Sequence, residues 1–246
     1  MNATPLRLSH PHRFLLVGLA VALALLIAPL GAQAGWRKTG TERGVTLYDE
    51  PDEDRAVPRF KGVMVIDASV EHLLAILADM ERATEWNSKL IVSDVLARRS
   101  DLNLRFYWRF KAPWPVDDRD GVLESKVTRE GDDLVAGFHT VPGPERAVPS
   151  GVTRFGHLRG HFRLTRLGPE RTRVEHLVDA DPAGNIPSWL VQYVTEAIPV
   201  DSLTGMKRQA AKTRGHYDDF IRRNAPQPAA PAGAGAGAAT PAAASP

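Results

Sequence analysis

Two histidines, His157 and His161, lie four residues apart, a spacing that occurs in metal-binding sites. On a helix this spacing would put both imidazoles on one face, where they could bind one metal ion. The segment 156–161, GHLRGH, is instead typical of an extended strand. At about 3.3 Å per residue the two imidazoles would lie about 13 Å apart, which is too far for one metal to bind both. The sequence therefore predicts no metal site here.

Three carboxylates, Asp117, Asp118 and Asp120, stand close together, and Arg119 lies among them. The setting is typical of a turn, so we interpret the group as a solvated or paired patch, with Arg119 paired to Asp117 or Asp120. The chain has no Gly-x-Ser-x-Gly elbow, phosphate-binding glycine loop or dinucleotide fingerprint. It also has no cysteine, which excludes disulfide bonds and thiolate metal sites. We therefore predict no catalytic residue and no cofactor, and expect a protein that is not an enzyme.

The first 34 residues have the organisation of a secretory signal peptide. Arg7 and Arg13 precede an apolar run at 14–30, and Ala32-Gln33-Ala34 forms a small-x-small cleavage site. A retained anchor helix is the alternative, but a proline interrupts the run and the cleavage site favours removal. We therefore expect the protein to be exported, to the periplasm or outside the cell, and the mature chain to begin at Gly35.

The charge of the mature chain is balanced. The whole sequence has 31 Lys and Arg against 29 Asp and Glu, and both surplus arginines lie in the predicted signal peptide. A chain with equal numbers of basic and acidic residues lacks the positive charge that nucleic-acid binding requires, so we expect no nucleic-acid partner. Residues 224–246 are almost entirely Ala, Pro and Gly, which predicts a disordered tail. One domain over 35–223 remains, and we expect it to be a monomer.

Alternation of apolar and polar residues dominates the middle of the chain. In 103–111 this alternation predicts a half-buried strand with an aromatic face. The apolar positions are Leu104, Phe106, Trp108 and Phe110. Similar runs predict strands at 45–48, 60–66, 90–97, 121–127, 134–141, 157–167 and 173–178. Because turn residues connect these runs, the pattern favours a large antiparallel sheet of consecutive strands.

Two helical patterns flank the predicted sheet. The first covers about 70–81, with apolar residues at helical spacing along one face. The second covers about 187–221, and Pro199 is expected to kink or split it. Beyond that proline the inner face carries small and flexible side chains, Met206 and Ala210 among them, where a dense core would have Leu or Ile. We therefore expect this helix to lie over a partly open space.

Two segments carry a resemblance to a known family. Residues 112–122 read APWPVDDRDGV, and residues 181–191 read DPAGNIPSWLV. The first resembles the Pro-Trp-Pro-x-x-x-Arg-Asp-x-Val signature of START domains, and the second resembles that family's Asp-Pro-x-Gly-x-Ile-Pro-x-Trp entry into its last helix. The resemblance covers about 36–217 and implies an α+β helix-grip fold, in which a curved antiparallel sheet wraps around a long C-terminal helix. It also implies an internal hydrophobic cavity for a lipid, a sterol or another hydrophobic small molecule, and transient contact with a membrane surface.

The candidate cavity residues lie on the aromatic strand, on two further strands and on the last helix. They are Phe106, Trp108, Phe110, Arg109, His139, Phe162, Met206 and Ala210. Two other functions stay open. One is a polyketide cyclase or dehydratase-like enzyme of the same fold, with His139, Arg109 or Asp179 turned inward at a bound carbonyl, and the other is a non-catalytic adaptor domain of the envelope. A cyclase needs a polar cluster in the cavity, a carrier needs an almost dry cavity, and an adaptor needs little cavity at all.

Overall fold

A computed structural model describes residues 35–184 and 186–224. The predicted signal peptide, 1–34, and all but the first residue of the predicted tail lie outside these described residues. Within the described part, no helix combines the length and the apolar character that crossing a membrane requires.

The described chain forms ten strands, four α-helices and one turn of 3₁₀ helix. In chain order these are β1 Arg37–Glu42, β2 Val45–Glu50, β3 Arg59–Ile66, α1 Val70–Ala78, the 3₁₀ turn Met80–Arg82, α2 Ala83–Trp86, β4 Leu90–Ser100, β5 Asn103–Phe110, β6 Asp118–Glu130, β7 Asp133–Thr140, β8 Val152–Arg154, β9 His157–Gly168, β10 Arg171–Asp181, α3 Ser188–Lys212 and α4 Asp218–Asn224. Each of the predicted strands is present, and β1 and β8 are additional to the prediction.

The strands form one curved sheet in the order β1-β2-β3-β10-β9-β7-β6-β5-β4. Every neighbouring pair on this path is antiparallel, and the short β8 adds a parallel pairing to the start of β6. After β3 the chain passes through α1 and α2 to the opposite edge of the sheet, where β4 begins. The structure thus has the predicted α+β helix-grip arrangement, a curved antiparallel sheet with a long C-terminal helix against it.

The alternating sequence pattern reflects a sheet with one face turned inward. In β3, Phe60, Met64 and Ile66 are buried, whereas Val65 between the last two is exposed. The buried face joins a single apolar core that also includes α1 and the second half of α3. The core therefore lies between the inner face of the sheet and the helices that cross it.

Two glycines allow α3 to approach its neighbours closely. A Cβ at Gly62 of β3 would lie 2.7 Å from the Cβ of Pro199, so strand and helix meet at this point. A Cβ at Gly205 would lie 1.7 Å from the carbonyl oxygen of Trp86, so α3 rests directly on the backbone of α2. The part of α3 that follows Pro199 is therefore packed tightly.

The helical region predicted at 187–221 is divided into two helices, but not at Pro199. The helix α3 continues through Pro199, and the break lies instead at 213–217, before α4. The proline ring packs against β3 at Gly62, in a helix turn that lacks the hydrogen bond proline cannot donate. Gly215 in the break has a φ of 75°, in the left-handed region that glycine adopts without strain.

The first helix begins close to the predicted residue and ends earlier than predicted. Ser69 caps α1, and its Oγ accepts a hydrogen bond from the His72 N–H at 3.2 Å. Asp79, directly after α1, leaves the helical conformation with a ψ of 72°. Its carboxylate accepts a hydrogen bond from the Tyr217 hydroxyl at 2.9 Å, which ties the end of α1 to the segment before α4.

Candidate functional site

An apolar cavity of about 120 Å³ lies between the sheet and the first half of α3. The sheet contributes side chains from β3, β5, β6, β7, β9 and β10. The helix contributes Leu190, Tyr193, Val194 and Ile198. The wall also includes residues of the β5–β6 loop, of the segment before α3, of the end of α2 and of other connecting segments. The part of the helix that precedes Pro199 therefore covers the cavity, whereas the part that follows it belongs to the core.

Three of the candidate residues line this cavity: Trp108, Phe110 and Phe162. Trp108 and Phe110 alternate along β5, so both side chains project from the same face of the sheet. The indole N–H of Trp108 donates a hydrogen bond to Ser93 Oγ at 2.9 Å, which fixes the ring against β4. The structure thus brings these three aromatic side chains together in one wall.

Arg109 and His139 lie outside the cavity, which corrects the expectation that they line it. Each precedes or follows a cavity residue on its strand, so its side chain projects to the other face of the sheet. The Arg109 guanidinium donates to Asp118 Oδ2 at 2.7 Å. His139 is exposed, beside the buried Phe138.

Phe106, Met206 and Ala210 also do not line the cavity, although all three are buried in the core. Met206 and Ala210 follow Gly205, at which α3 packs directly on the backbone of α2. The small side chains of this helix face therefore serve close packing. The expectation that they cover an open space is wrong for this half of the helix.

Phe138 and Trp86 are cavity residues that are absent from the candidate set. The alternation of Leu134, Ala136 and Phe138 in β7 carries a signal for Phe138, because residues two apart share one face of a strand. Trp86 has no such periodic signal, and only the resemblance to START domains marks its position in the sequence. It ends the four-residue helix α2, and only the packing of α3 places it at the cavity.

His176 of β10 is a buried imidazole in the cavity wall. Its ring stacks on Phe162 with a centroid distance of 4.0 Å and an interplanar angle of 7°. Burial, and next the positive charge of nearby His161, lowers its pKa to about 3. Its Nδ1 has no hydrogen-bond partner in the described part of the chain. The cavity therefore contains an uncharged imidazole at neutral pH.

Arg119 joins the cavity wall to the segment that leads into α3. Its guanidinium donates to the backbone oxygens of Pro182, Asp117 and Ala183 at 2.7, 2.5 and 3.2 Å. The side chain is buried, and burial lowers its pKa despite the nearby carboxylate of Asp117. This corrects the predicted carboxylate pairing of Arg119, since the Asp120 carboxylate instead pairs with Arg154 at 2.9 Å.

Basic side chains occur in the described cavity wall, whereas acidic ones do not. Lys89, Lys111 and Arg119 are the basic members. The ammonium of Lys89 lies 3.3 Å from Asp201, and that of Lys111 lies 3.6 Å from Asp118, both carboxylates outside the wall. Ion pairs therefore surround the cavity, and its interior is mostly apolar.

Two exposed tryptophans are each next in sequence to a residue of the cavity wall. Trp114 is 90% exposed in the β5–β6 loop, and its neighbour Pro113 lines the cavity. Trp189 is 47% exposed in the first turn of α3, and its neighbour Leu190 also lines the cavity. Large exposed aromatic side chains are unusual on a protein surface, and here two of them adjoin one apolar space.

The polar residues considered for metal binding or cyclase chemistry have partners away from the cavity. His157 and His161 both lie in β9, as the extended pattern predicts. The imidazole of His157 lies 3.0 Å from the carboxylate of Asp179, which also accepts from Arg159 at 2.9 Å. His161 instead faces Glu175 at 3.6 Å. Among the described residues no group of His, Asp and Glu could hold a metal ion.

An apolar cavity enclosed by a curved antiparallel sheet and a long C-terminal helix places the chain in the helix-grip class of α+β proteins. The family model described as START domain matches residues 18–212 of the 246 residues. The chain belongs to the START domain family. The match begins within the predicted signal peptide, and that peptide stays a prediction.

Named relatives agree with this assignment. The mouse phosphatidylcholine transfer protein is 26% identical over 184 residues, which cover 71% of this chain and 83% of that protein. Mouse START domain-containing protein 10 is 23% identical over 79% of this chain, and the match spans 66% of the length of that relative. The crystal structure of a STAR-related lipid transfer protein fragment from Xanthomonas axonopodis matches with a TM-score of 0.65 at 24% identity, over 72% of this chain and 99% of the fragment. This structural likeness shows the fold.

Proposed function

We propose that the protein binds a lipid or another hydrophobic small molecule in the cavity beneath α3 and carries it between membrane surfaces. The observation that carries the proposal is the cavity, whose wall is mostly apolar and contains no acidic side chain in the described residues. Burial of an apolar ligand in such a space contributes about 25 cal/mol per Å² of apolar surface removed from water. The phosphatidylcholine transfer protein among the relatives supports a lipid as the ligand.

A carrier fits this cavity better than the two alternative functions do. Cyclase-like chemistry would require Arg109, His139 or Asp179 inside the cavity, and all three lie outside it. His176, the imidazole that does line the cavity, has no carboxylate among the described residues bonded to it as a base partner. An adaptor domain would need little cavity, and the existing cavity therefore supports ligand binding.

The size of the cavity supports a binding cycle in which the protein opens. Pockets for ligands of drug size or larger have volumes of about 300–1,000 Å³. The cavity of about 120 Å³ is smaller, so a whole lipid requires one wall to move outward. The first half of α3 is the candidate, because its residues 191–198 are only partly buried or exposed. We therefore propose that this half of the helix is the lid of the cavity.

The decisive experiment identifies the ligand. Protein purified from its own host is examined by native mass spectrometry, and bound molecules are extracted and identified. We expect a hydrophobic molecule bound to each folded chain, and displacement of the neutral fluorophore N-phenylnaphthylamine by that molecule. A folded protein that carries no such molecule and does not bind the fluorophore would contradict the proposal.

We also propose that the protein acts outside the cytoplasm, after cleavage between Ala34 and Gly35. The support is the basic, apolar and small-residue order of the first 34 residues. We expect N-terminal sequencing of the protein from a cell envelope fraction to begin at Gly35. An intact Met1 on the exported protein would contradict cleavage.

A further inference from the structure

A second cavity of about 30 Å³ lies behind the first. Four aromatic side chains line both cavities, and we call them the aromatic wall: Trp86, Trp108, Phe138 and Phe162. Neighbouring rings are in contact, with centroid distances of 6.2 Å for Trp86–Phe162, 6.3 Å for Phe162–Phe138 and 6.0 Å for Phe138–Trp108. The aromatic wall therefore separates two spaces with a continuous row of rings.

The space behind the aromatic wall suits an alkyl chain. Its lining is largely aliphatic and includes Leu74, Leu77, Leu104, Val127 and Ala136. Polar side chains, Asp101 and Ser125, are a minority of this lining. An apolar chain that extended past the wall would therefore bury more of its surface. Each additional buried methylene would increase the affinity for the chain.

The four rings differ in how firmly the structure holds them. Trp108 donates its N–H to Ser93, and the backbone of Trp86 is covered by α3 at Gly205. Phe162 is stacked on His176. Phe138 has neither a polar atom nor a stacked partner, and it contacts its neighbours at tilted angles of 44° to 58°. Phe138 is therefore the ring that can be removed with the least change to the other three.

We propose that the aromatic wall limits the length of the alkyl chain that the protein binds, and that Phe138 is the specificity-determining residue. The inference rests on the proposed function, since it assumes that an alkyl chain enters beneath α3. Such a chain fills the first cavity and stops at the wall. Additional methylenes then remain near the entrance, where they gain little burial and add little affinity.

The test measures affinity against chain length for a homologous series of saturated fatty acids, which displace N-phenylnaphthylamine. In the wild-type protein each methylene should raise affinity about fourfold until the chain reaches the wall, after which affinity levels off. Phe138→Ala joins the two cavities. In this variant we expect the plateau to begin at longer chains, with about fourfold gained for each extra methylene that the second cavity admits.

Two further variants control for a general loosening of the protein. Phe155→Ala removes a ring that lines the first cavity only, so the plateau should stay at the wild-type length. Phe138→Ala combined with Ala136→Phe fills the second cavity again and should return the plateau to the wild-type length. An equal shift in Phe155→Ala, or no return in the double variant, would overturn the role of the wall.

The outcomes distinguish the inference from the proposed function. If the wild-type protein binds neither N-phenylnaphthylamine nor any member of the series, the proposed function fails. If it binds the fluorophore but no fatty acid, if its affinity rises along the whole series, or if the plateau is the same in the Phe138 variant, the function stands and the length limit fails. Should Phe138→Ala not fold, Phe138→Leu keeps most of the apolar contact and is expected to shift the plateau in the same direction by less.

Discussion

At the scale of single residues, His176 shows how the cavity wall tolerates a polar group by keeping it uncharged. Its pKa is lowered to about 3, whereas an unfolded chain protonates histidine at about 6.5. Below pH 6.5 the unfolded state therefore binds a proton that the folded state does not, and stability falls as the pH falls. Between pH 6.5 and 5 this proton costs the wild-type protein up to about 2 kcal/mol of unfolding free energy, and we expect His176→Phe to abolish that loss. The measurement is the difference in unfolding free energy between variant and wild type at each pH.

The comparison of variant with wild type isolates His176 from other titrating groups. The pKa of His72 is also lowered by burial, but His72 is present in both proteins and cancels. Glu175, whose pKa is lowered to about 2 mainly by the nearby imidazole of His161, titrates below this window. Parallel pH dependences of the two proteins would contradict an uncharged His176.

Arg119 is a positioning residue, since it holds the segment before α3 through the backbone carbonyls of Pro182 and Ala183. Each hydrogen bond contributes on the order of 1 kcal/mol. In Arg119→Met this segment should therefore open more readily, and bound fluorophore should dissociate about tenfold faster or more, measured by stopped-flow fluorescence. The matched control is Arg109→Met, which loses an ion pair with Asp118 on the other face of the sheet. Equal dissociation rates in the two variants would contradict the role of Arg119.

The candidate residues show which part of a site a sequence reveals. Alternation in β5 identifies Trp108 and Phe110 as members of one face, because the period of a strand is fixed at two residues. The alternation does not show which face of the strand borders the cavity, so Arg109, on the opposite face, is a candidate as well. Trp86 escapes prediction for another reason, since its place depends on a helix more than a hundred residues away in the chain.

At the scale of elements, α3 has two halves with different roles. Val194 lines the cavity in the first half, whereas Ala210 is 4% exposed in the core of the second half. We expect Val194→Trp to fill the cavity and abolish fluorophore binding while the melting temperature is maintained. Ala210→Trp should overpack the core and lower stability by roughly 1–3 kcal/mol or more. A stable Ala210→Trp protein that loses binding would move the ligand beneath the second half.

The elements that the sequence predicts are those with a strong apolar period, and the missed ones lack it. β1, RKTGTE, is an edge strand that is mostly exposed, so hydrogen bonds to β2 define it without an apolar face. β8 has only three residues and exists through its pairing with β6. Pro199 misleads in the opposite direction, because α3 continues through it, at the point where it packs against Gly62 on a distant strand.

At the scale of the whole molecule, the features needed for ligand exchange meet at one region. The segment held by Arg119, the half-buried part of α3 and the exposed Trp114 and Trp189 all adjoin the first cavity. A lipid that leaves a membrane must keep its apolar surface away from water during the passage. An opening that lies against the bilayer meets this requirement, so we expect contact with the membrane and opening of the cavity to occur at the same surface.

The two exposed tryptophans give this expectation a direct test, because indole rings favour the interfacial region of a bilayer. Replacing either Trp114 or Trp189 with Ala should weaken binding to phosphatidylcholine vesicles by about tenfold, since burial of a large apolar side chain contributes about 1.5 kcal/mol or more. Vesicle flotation measures the affinity, and transfer of a fluorescent lipid between vesicles should slow in parallel. Leu167→Ala removes an exposed apolar side chain of β9 that does not line the first cavity, and it should leave both measurements unchanged. If the tryptophan variants bind vesicles as the wild type does, the membrane contacts another surface, and the cavity must then open without the bilayer beside it.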